Sequence, residues 1–436
     1  MQVTVETTQG LERRIKAVVP AEKVNSAVQA RLKSMAPRVK MDGFRPGKVP
    51  MRVVEQRYGA QARYEAINDL VSETFYQAVS EKQLRLAGAP EINPGELNNG
   101  TDIHFEATFE VYPEIQVGGV DGVVIERPVA SVTEADVDKM IDKLREQRRT
   151  WSEVSRASKS GDQVTVDFKA TIDGEGFAGG EGTGMTVVLG AGRMIEGFED
   201  KLTGVKAGAK VEADLPFPEV YHNQEIAGKT AHFVMDVVKV EEPVLPEAND
   251  QFAVAFGITD GGIEKLRKDV RDNMQRELDF ALKNKVKNLV MDALLEKNSF
   301  DIPKVMVNAE AKRLAEQMRQ QMAQRFGGRT PEGMEFKPEL FLQQGERRVA
   351  LGLLLSEIIQ QKSLKANSEA VLKEIRNIAS AYEDPSEVEQ WYRGNRERMS
   401  EIESMVLEDQ VVQWVLQNAK VTEKSTTFDE VVNNTQ

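Results

Sequence analysis

Residues 43–50 read Gly43-Phe44-Arg45-Pro46-Gly47-Lys48-Val49-Pro50 and join two segments whose apolar spacing is that of helices. Two glycines and two prolines in eight residues cannot continue a helix; they close a tight loop with few unfolded alternatives. Phe44, Arg45 and Lys48 are thereby expected on a stiff, outward tip. From Arg31 to Arg57 the chain carries eight basic residues (Arg31, Lys33, Arg38, Lys40, Arg45, Lys48, Arg52, Arg57) against two acidic ones, Asp42 and Glu55, within a chain of net charge −13. An exposed Phe flanked by cations suits a partner that is both apolar and phosphate-like or acidic, whereas an ordinary helix-helix turn with solvated charges has the same composition. A phosphate-cradling P-loop is excluded, because Val49 follows Lys48 where Ser or Thr is needed and the preceding segment reads as helix.

Outward from the loop, Leu11 to Val19 reads as a strand and Pro20 sits at a helix start, after which Val24, Val28, Leu32 and Met35 recur at helical spacing up to Pro37. On the other side Pro50 opens a helix that Gly59 is expected to interrupt. A longer helix follows, with Tyr64, Ile67, Val71, Phe75 and Val79 as its buried stripe. Asp102 to Tyr112 alternates as a half-buried strand that puts His104 on the solvent side, without a chemical role. The expectation is an α+β domain over residues 1–112, followed by a charged linker at 113–160. That linker contains one helix, begun by Thr133 and Asp136 and carrying Val137, Ile141 and Leu144.

A second domain is expected at 161–246. Val164, Val166, Phe168, Ala170 and Ile172 alternate with polar residues, and Asp173-Gly174 is a hairpin signal. Gly174 to Gly179 formally matches a dinucleotide fingerprint but lies between strands and opens no helix, so the match is accidental. Met194 to Glu199 reads as a short helix, and His232 to Val240 as a closing strand. Short strands around one brief helix imply a small antiparallel sheet enclosing an apolar pocket, with Phe168, Phe177, Met194, Ile195, Phe198, Tyr221 and Phe233 as its lining. These residues include no histidine, cysteine or paired carboxylate and could not run nucleophilic or acid-base catalysis. Taken singly they could be plain core aromatics; their ordered set favours the pocket.

Residues 247–424 read as helical. Leu266, Val270, Leu278, Leu282, Val286, Leu289 and Leu294 fall in one long helix, and Leu314, Met318 and Met322 in a second; further runs lie at 351–359, 371–382 and 399–416. Apolar stripes left open on such helices could cradle unfolded segments; a plain helical core is the other reading. Residues 425–436 are polar and expected to be disordered.

A chain of 436 residues exceeds one typical domain. Its acidic balance argues against nucleic-acid binding over the whole surface, which would otherwise show as affinity for free RNA with a steep salt dependence. It contains no cysteine, which excludes disulfides and thiolate chemistry, and three histidines leave little for a metal centre, so no cofactor or metal is expected. Met1 to Arg14 shows no apolar core of a secretory signal, and the greasiest run, Val349 to Ile359, is too short to span a bilayer, so a soluble cytoplasmic protein is expected.

The motif Gly43-Phe44-Arg45-x-Gly47-Lys48-x-Pro50 resembles the signature of the bacterial trigger factor family, chaperones that dock beside the polypeptide exit of the large ribosomal subunit. The order of basic-loop domain, linker helix, sheet domain and helical region is similar to that family over essentially the whole chain. The resemblance implies ribosome contact by Gly43, Phe44, Arg45, Pro46, Gly47 and Lys48, with Pro46 standing where some members carry Lys. It also implies a helical body with two arms that holds nascent chains without ATP, partial ribosome binding in the cytoplasm, no membrane partner, and a homodimer away from the ribosome.

Residues 161–246 resemble the FKBP-type peptidyl-prolyl isomerases in the Leu189-Gly190, Ile195-x-Gly197-Phe198-Glu199 and closing Phe233-x-x-x-Val237 segments. That likeness implies that the Ile195 N–H binds a substrate carbonyl, that the Tyr221 hydroxyl orients it, and that Phe198 floors the proline site. Small members usually carry Trp at the Phe198 position and Asp at the Ala178 position, which weighs against macrolide inhibitors and leaves isomerisation intact. The competing expectation is a stand-alone FKBP-type isomerase whose helices only dimerise it or recruit one folded client.

Overall fold

The computed structural model describes residues 3–40, 44, 49–95, 100–120, 122–219, 221, 223, 225–328, 335–380, 382 and 384–433. Two compact units emerge, one formed by Met1–Arg127 with Lys285–Glu423 and the other by Pro128–Asn284 with Lys424–Gln436.

The chain begins with β1 (Val3–Thr7), β2 (Glu12–Val19), α1 (Ala21–Met35), a 3-10 turn at Ala36–Arg38, α2 (Met51–Glu81), β3 (Glu91–Pro94) and β4 (Ile103–Glu110). The strands form an antiparallel sheet in the order β1-β2-β4-β3. Its inner face, Ile15, Ala17 and Val19 of β2 with Ile103, Phe105, Ala107 and Phe109 of β4, packs on Ile67, Val71, Phe75 and Val79 of α2. The alternation of β4 is as expected, with His104 exposed.

Two expectations fail here. Helix α2 runs unbroken through Gly59, because a mid-helix glycine costs only about 1 kcal/mol and the packing of 31 helical residues outweighs it. Tyr64 is exposed rather than part of the buried stripe; the small Ala62 and Ala66 are buried instead.

The segment expected to hold one linker helix contains β5 (Val124–Val129), α3 (Glu134–Gln147) and β6 (Thr150–Glu153). α3 starts at Thr133 and Asp136 as expected, and the two form a capping box: the Asp136 N–H donates to Thr133 Oγ1 at 3.3 Å, and the Thr133 N–H donates to Asp136 Oδ2 at 3.0 Å. The extra strands exist only through distant partners, β5 with the strand Lys420–Ser425 and β6 with the strand Thr230–Val244, so nothing local announces them.

Next come β7 (Gln163–Ile172), β8 (Glu175–Val188), α4 (Phe198–Lys201), β9 (Lys210–Pro216) and β10 (Thr230–Val244). They form, with β6, a five-stranded sheet in the order β6-β10-β7-β8, with β9 also on β10. The β7–β8 hairpin turns at Asp173 and Gly174, with φ +53° and +85°, as a two-residue loop of mirror-image type requires. Helix α4 is shorter than expected: Gly197 at φ +82° is left-handed, so Met194 to Gly197 stays a turn and the helix starts at Phe198.

The remaining elements are α5 (Asp250–Val254), α6 (Gly262–Lys297), α7 (Lys304–Arg325), α8 (Leu342–Gln361), α9 (Ser368–Ala379), α10 (Pro385–Arg393), α11 (Arg396–Asn418), β11 (Lys420–Ser425) and α12 (Phe428–Val432). The first half of α6 contributes Leu266, Val270 and Leu278 to one core with Val137 and Ile141 of α3. Val290, Met291 and Leu294 of its second half join another core with Leu354, Ile358, Val411 and Val415. Residues 428–432, expected to be disordered, form α12: Thr427 and Glu430 make a second capping box, and Phe428 and Val431 are buried. Two apolar residues three apart suffice to anchor a polar terminus once a groove receives them.

Candidate active site

The sheet of the second unit wraps a cavity of about 280 Å³ between its strands and the chain around α4. All seven residues expected from the sequence line it: Phe168, Phe177, Met194, Ile195, Phe198, Tyr221 and Phe233. The structure adds Ala178, Gly179, Met185, Phe217, Asn223 and Ile226.

Each wall has a local cause. Phe168 reaches the cavity because β8 presents a glycine beside it; a Cβ at Gly182 would lie 2.5 Å from the Phe168 ring. Phe198 is almost wholly buried at the start of α4, with its ring edge-to-face on Phe233 at 5.6 Å and 86°. Phe217 is the hub: its ring centroid lies 4.9 Å from Tyr221, 5.9 Å from Phe177 and 6.2 Å from Phe233. Sequence alone does not mark it, because Pro216 and Pro218 flank it and suggest a turn, although Ala213 and Leu215 of β9 and Phe217 just beyond the strand continue one buried alternation.

The loop before α4 is held by one side chain. Glu199 Oε2 accepts the N–H groups of Gly190 at 2.8 Å and Gly192 at 3.1 Å, and Oε1 those of Arg193 at 2.9 Å and Met194 at 3.3 Å. Burial pushes this carboxyl up, but the four amide donors outweigh it and hold Glu199 below the ordinary carboxylate value. Among the described residues the next amide, that of Ile195, meets no acceptor.

Behind the cavity, the buried Asp162 takes a two-pronged grip from Arg156 at 2.6 and 3.0 Å, and Arg156 also reaches Glu242 at 2.9 Å. The Arg156 hydrogen bonds, opposed by burial, keep Asp162 below its usual range. Ser158 ties the same corner to α4, donating to the Leu202 carbonyl at 2.6 Å and accepting the Val205 N–H at 3.0 Å.

In the other unit, of the loop residues singled out in the sequence, Phe44 is described and exposed, while Gly43, Arg45, Pro46, Gly47 and Lys48 lie outside the described residues. Val39 and Val49, on either side of the loop, are buried with Leu32, Val54 and Ala62 in a small cluster of their own. That cluster pins the two ends of the loop where α1 meets α2. Arg31 does not belong to the cationic tip: it is paired with Glu65 at 2.7 Å and Asp69 at 2.6 Å.

The described residues hold no group of carboxylates and histidines placed to bind a metal, and no helix is long and apolar enough to cross a membrane.

Residues 1–144 match the family described as bacterial trigger factor protein, residues 154–238 that of FKBP-type peptidyl-prolyl cis-trans isomerase, and residues 262–417 that of the bacterial trigger factor C-terminus. Trigger factor of Ectopseudomonas mendocina (strain ymp) is 48% identical over 432 residues, covering 99% of this chain and 98% of that one. Trigger factor of Stutzerimonas stutzeri (strain A1501) shows the same identity and coverage. A solved chain described under promiscuous substrate recognition in the folding and assembly activities of the trigger factor chaperone aligns over 96% of this chain and 99% of its own, at 20% identity and a TM-score of 0.47.

Proposed function

The chain belongs to the bacterial trigger factor family and carries an FKBP-type peptidyl-prolyl cis-trans isomerase domain; from that premise we propose that it meets nascent polypeptides at the ribosomal exit, shields them without ATP, and isomerises their X-Pro bonds in the cavity around Phe198. The observation that carries the isomerase assignment to named residues is the cavity itself, lined by Phe168, Phe177, Phe198, Phe217, Tyr221 and Phe233, with the Ile195 amide on the loop beside it meeting no acceptor among the described residues.

The barrier to X-Pro rotation comes from amide resonance, which makes the planar peptide strongly polar. The twisted transition state has lost much of that polarity. A water-poor aromatic wall therefore favours it over the ground state with no proton transfer. In this reading Phe198 and Phe233 receive the proline ring, the Ile195 N–H holds the substrate carbonyl, and the Tyr221 hydroxyl orients it. Phe168, Phe177 and Met194 close the sides.

We assign docking on the large ribosomal subunit to Gly43, Phe44, Arg45, Pro46, Gly47 and Lys48 within a domain of residues 1–112. The client-holding body is residues 247–424, reached through a linker at 113–160 and the isomerase domain at 161–246. Support for the body comes from large apolar side chains left open on its helices and turns, among them Phe326, Leu340, Trp391 and Tyr382. The molecule works in the cytoplasm, partly ribosome-bound, and forms a homodimer when free.

Co-sedimentation with ribosomes tests the docking assignment. Arg45→Glu/Lys48→Glu reverses two charges at a phosphate-rich surface and is expected to cut pelleting by about ten-fold at moderate salt. Equal pelleting of the two proteins would remove the loop from the interface.

A further inference from the structure

We infer that Glu199 is a positioning residue for proline isomerisation, the side chain whose carboxylate shapes the 190–195 loop so that the Ile195 N–H is left for the substrate. The inference rests on the isomerase reading of the cavity and goes beyond it, since Glu199 does not itself line the cavity.

The geometry makes the case. Three of the four captured amides belong to consecutive residues, Gly192, Arg193 and Met194, and the fourth to Gly190. Gly190 and Gly192 sit at φ +83° and +64°, left-handed positions that turn successive N–H groups toward one side. Such a concave run of donors is an anion site, and here the anion is supplied by the chain itself, from the second residue of α4. The run of captured amides stops at Met194, and Ile195 is the first residue after it.

The other end of the same residue is fixed as well. The Thr203 hydroxyl donates to the Glu199 carbonyl at 3.0 Å, and the Ile195 carbonyl accepts the Phe198 N–H at 3.1 Å. The carbonyl of Ile195 is thus used inside the turn while its amide is not. A loop without the carboxylate would have four donors seeking partners, and the cheapest relief is to rotate peptide planes, which changes where the Ile195 N–H points. Phe198 is the immediate neighbour of Glu199, so floor and amide are positioned by one two-residue unit.

Charged side chains on the same loop and helix are Arg193, Glu196, Asp200 and Lys201, and Lys159 and Asp162 lie on the segment whose backbone bonds to Leu189 at the loop's start. The influences that set the ionisation of Glu199 are burial, which raises its pKa, and the four amides, which together lower it further. The carboxylate thus stays charged at its ordinary value of 4.5, and the loop's anchorage is complete above that pH. Anchorage is lost as pH falls through the lower value of the folded protein.

The test compares full-length native protein, Glu199→Gln and Glu199→Ala in isomerisation of a short proline peptide, with a pH profile and amide hydrogen exchange. Glu199→Ala is expected to lower kcat/KM by about ten-fold or more, and Glu199→Gln by about three-fold, because the amide keeps one acceptor oxygen of two. Native activity should fall reversibly on the acid side, while Glu199→Gln holds a lower plateau there. Exchange should quicken at residues 190–195 with the amides of β7 and β10 still protected. Equal kcat/KM in native and Glu199→Ala would overturn the inference. So would an unchanged acid limb in Glu199→Gln, or loss of protection across β7 and β10 together with the loop, which would make Glu199 a folding residue. A native protein that does not isomerise the peptide at all would instead refute the isomerase reading beneath it.

Discussion

The cavity around Phe198 and the helices from α7 to α11 both present apolar groups, yet they spend them in opposite ways. In the cavity the large side chains face one another across the sheet: Phe198, Phe217, Ile226 and Phe233 are buried, Phe168, Phe177, Met194 and Tyr221 are half-buried, and only the small Ala178 and Gly179 at its rim are exposed. On the helical region Phe326 is 53% exposed, Leu340 74% and Trp391 52%, with Tyr382 and Met318 exposed beside other elements. A concave, oriented set of rings can lower a barrier, because it distinguishes the twisted amide from the planar one. An open set cannot make that distinction; it offers area to whatever apolar chain arrives, which is binding without chemistry.

That contrast predicts different costs for damage. Phe198→Ala empties a filled position in a packed sheet core and should lower the stability of the isomerase domain by about 3–5 kcal/mol, read by denaturant unfolding of that transition. A loss below about 1 kcal/mol would mean that the cavity floor is soft and the comparison overstated.

Asp162→Asn breaks the charge partnership behind the same cavity. Because the Asp162 carboxyl titrates below its ordinary value of 3.8, its contribution is complete above that pH and disappears as pH drops through the folded-state value. The variant should melt several degrees lower at neutral pH and lose most of the acid-side decline in midpoint that the native protein shows. Scanning calorimetry at a series of pH values measures both.

The smallest stability effect belongs to the open surface. Phe326→Ser/Leu340→Ser removes exposed apolar groups and should change stability by no more than about 0.5 kcal/mol, while weakening suppression of aggregation of a denatured protein by about two-fold or more.

The enclosed site was more legible in the sequence than its supports. Strand alternation marks Phe168, and the order of segments around them marks Phe198, Tyr221 and Phe233; all line one cavity. Phe217 is hidden by its two flanking prolines, which suggest a turn although the buried alternation of β9 carries on one step past the strand's end. Glu199 stands in the Ile195-x-Gly197-Phe198-Glu199 segment with nothing to mark it as an anchor, because capture of four backbone amides leaves no trace in residue type. The terminal α12 is illegible for a related reason: Phe428 and Val431 stand out little in a polar stretch, and only the core they share with α3 and α6 makes them a helix face. For the loop at 43–48 the composition was informative at once, and the structure contributes its pinned base, Val39 against Val49, and the removal of Arg31 from its charge.

Separation of holding from chemistry is most directly measured by the isomerisation rate of a short proline peptide with full-length Phe326→Ser/Leu340→Ser beside the native protein, each at a concentration where aggregation suppression has been scored. The expected result is an unchanged rate together with weakened suppression. A rate that falls in step with suppression would contradict the division of labour between closed cavity and open helices.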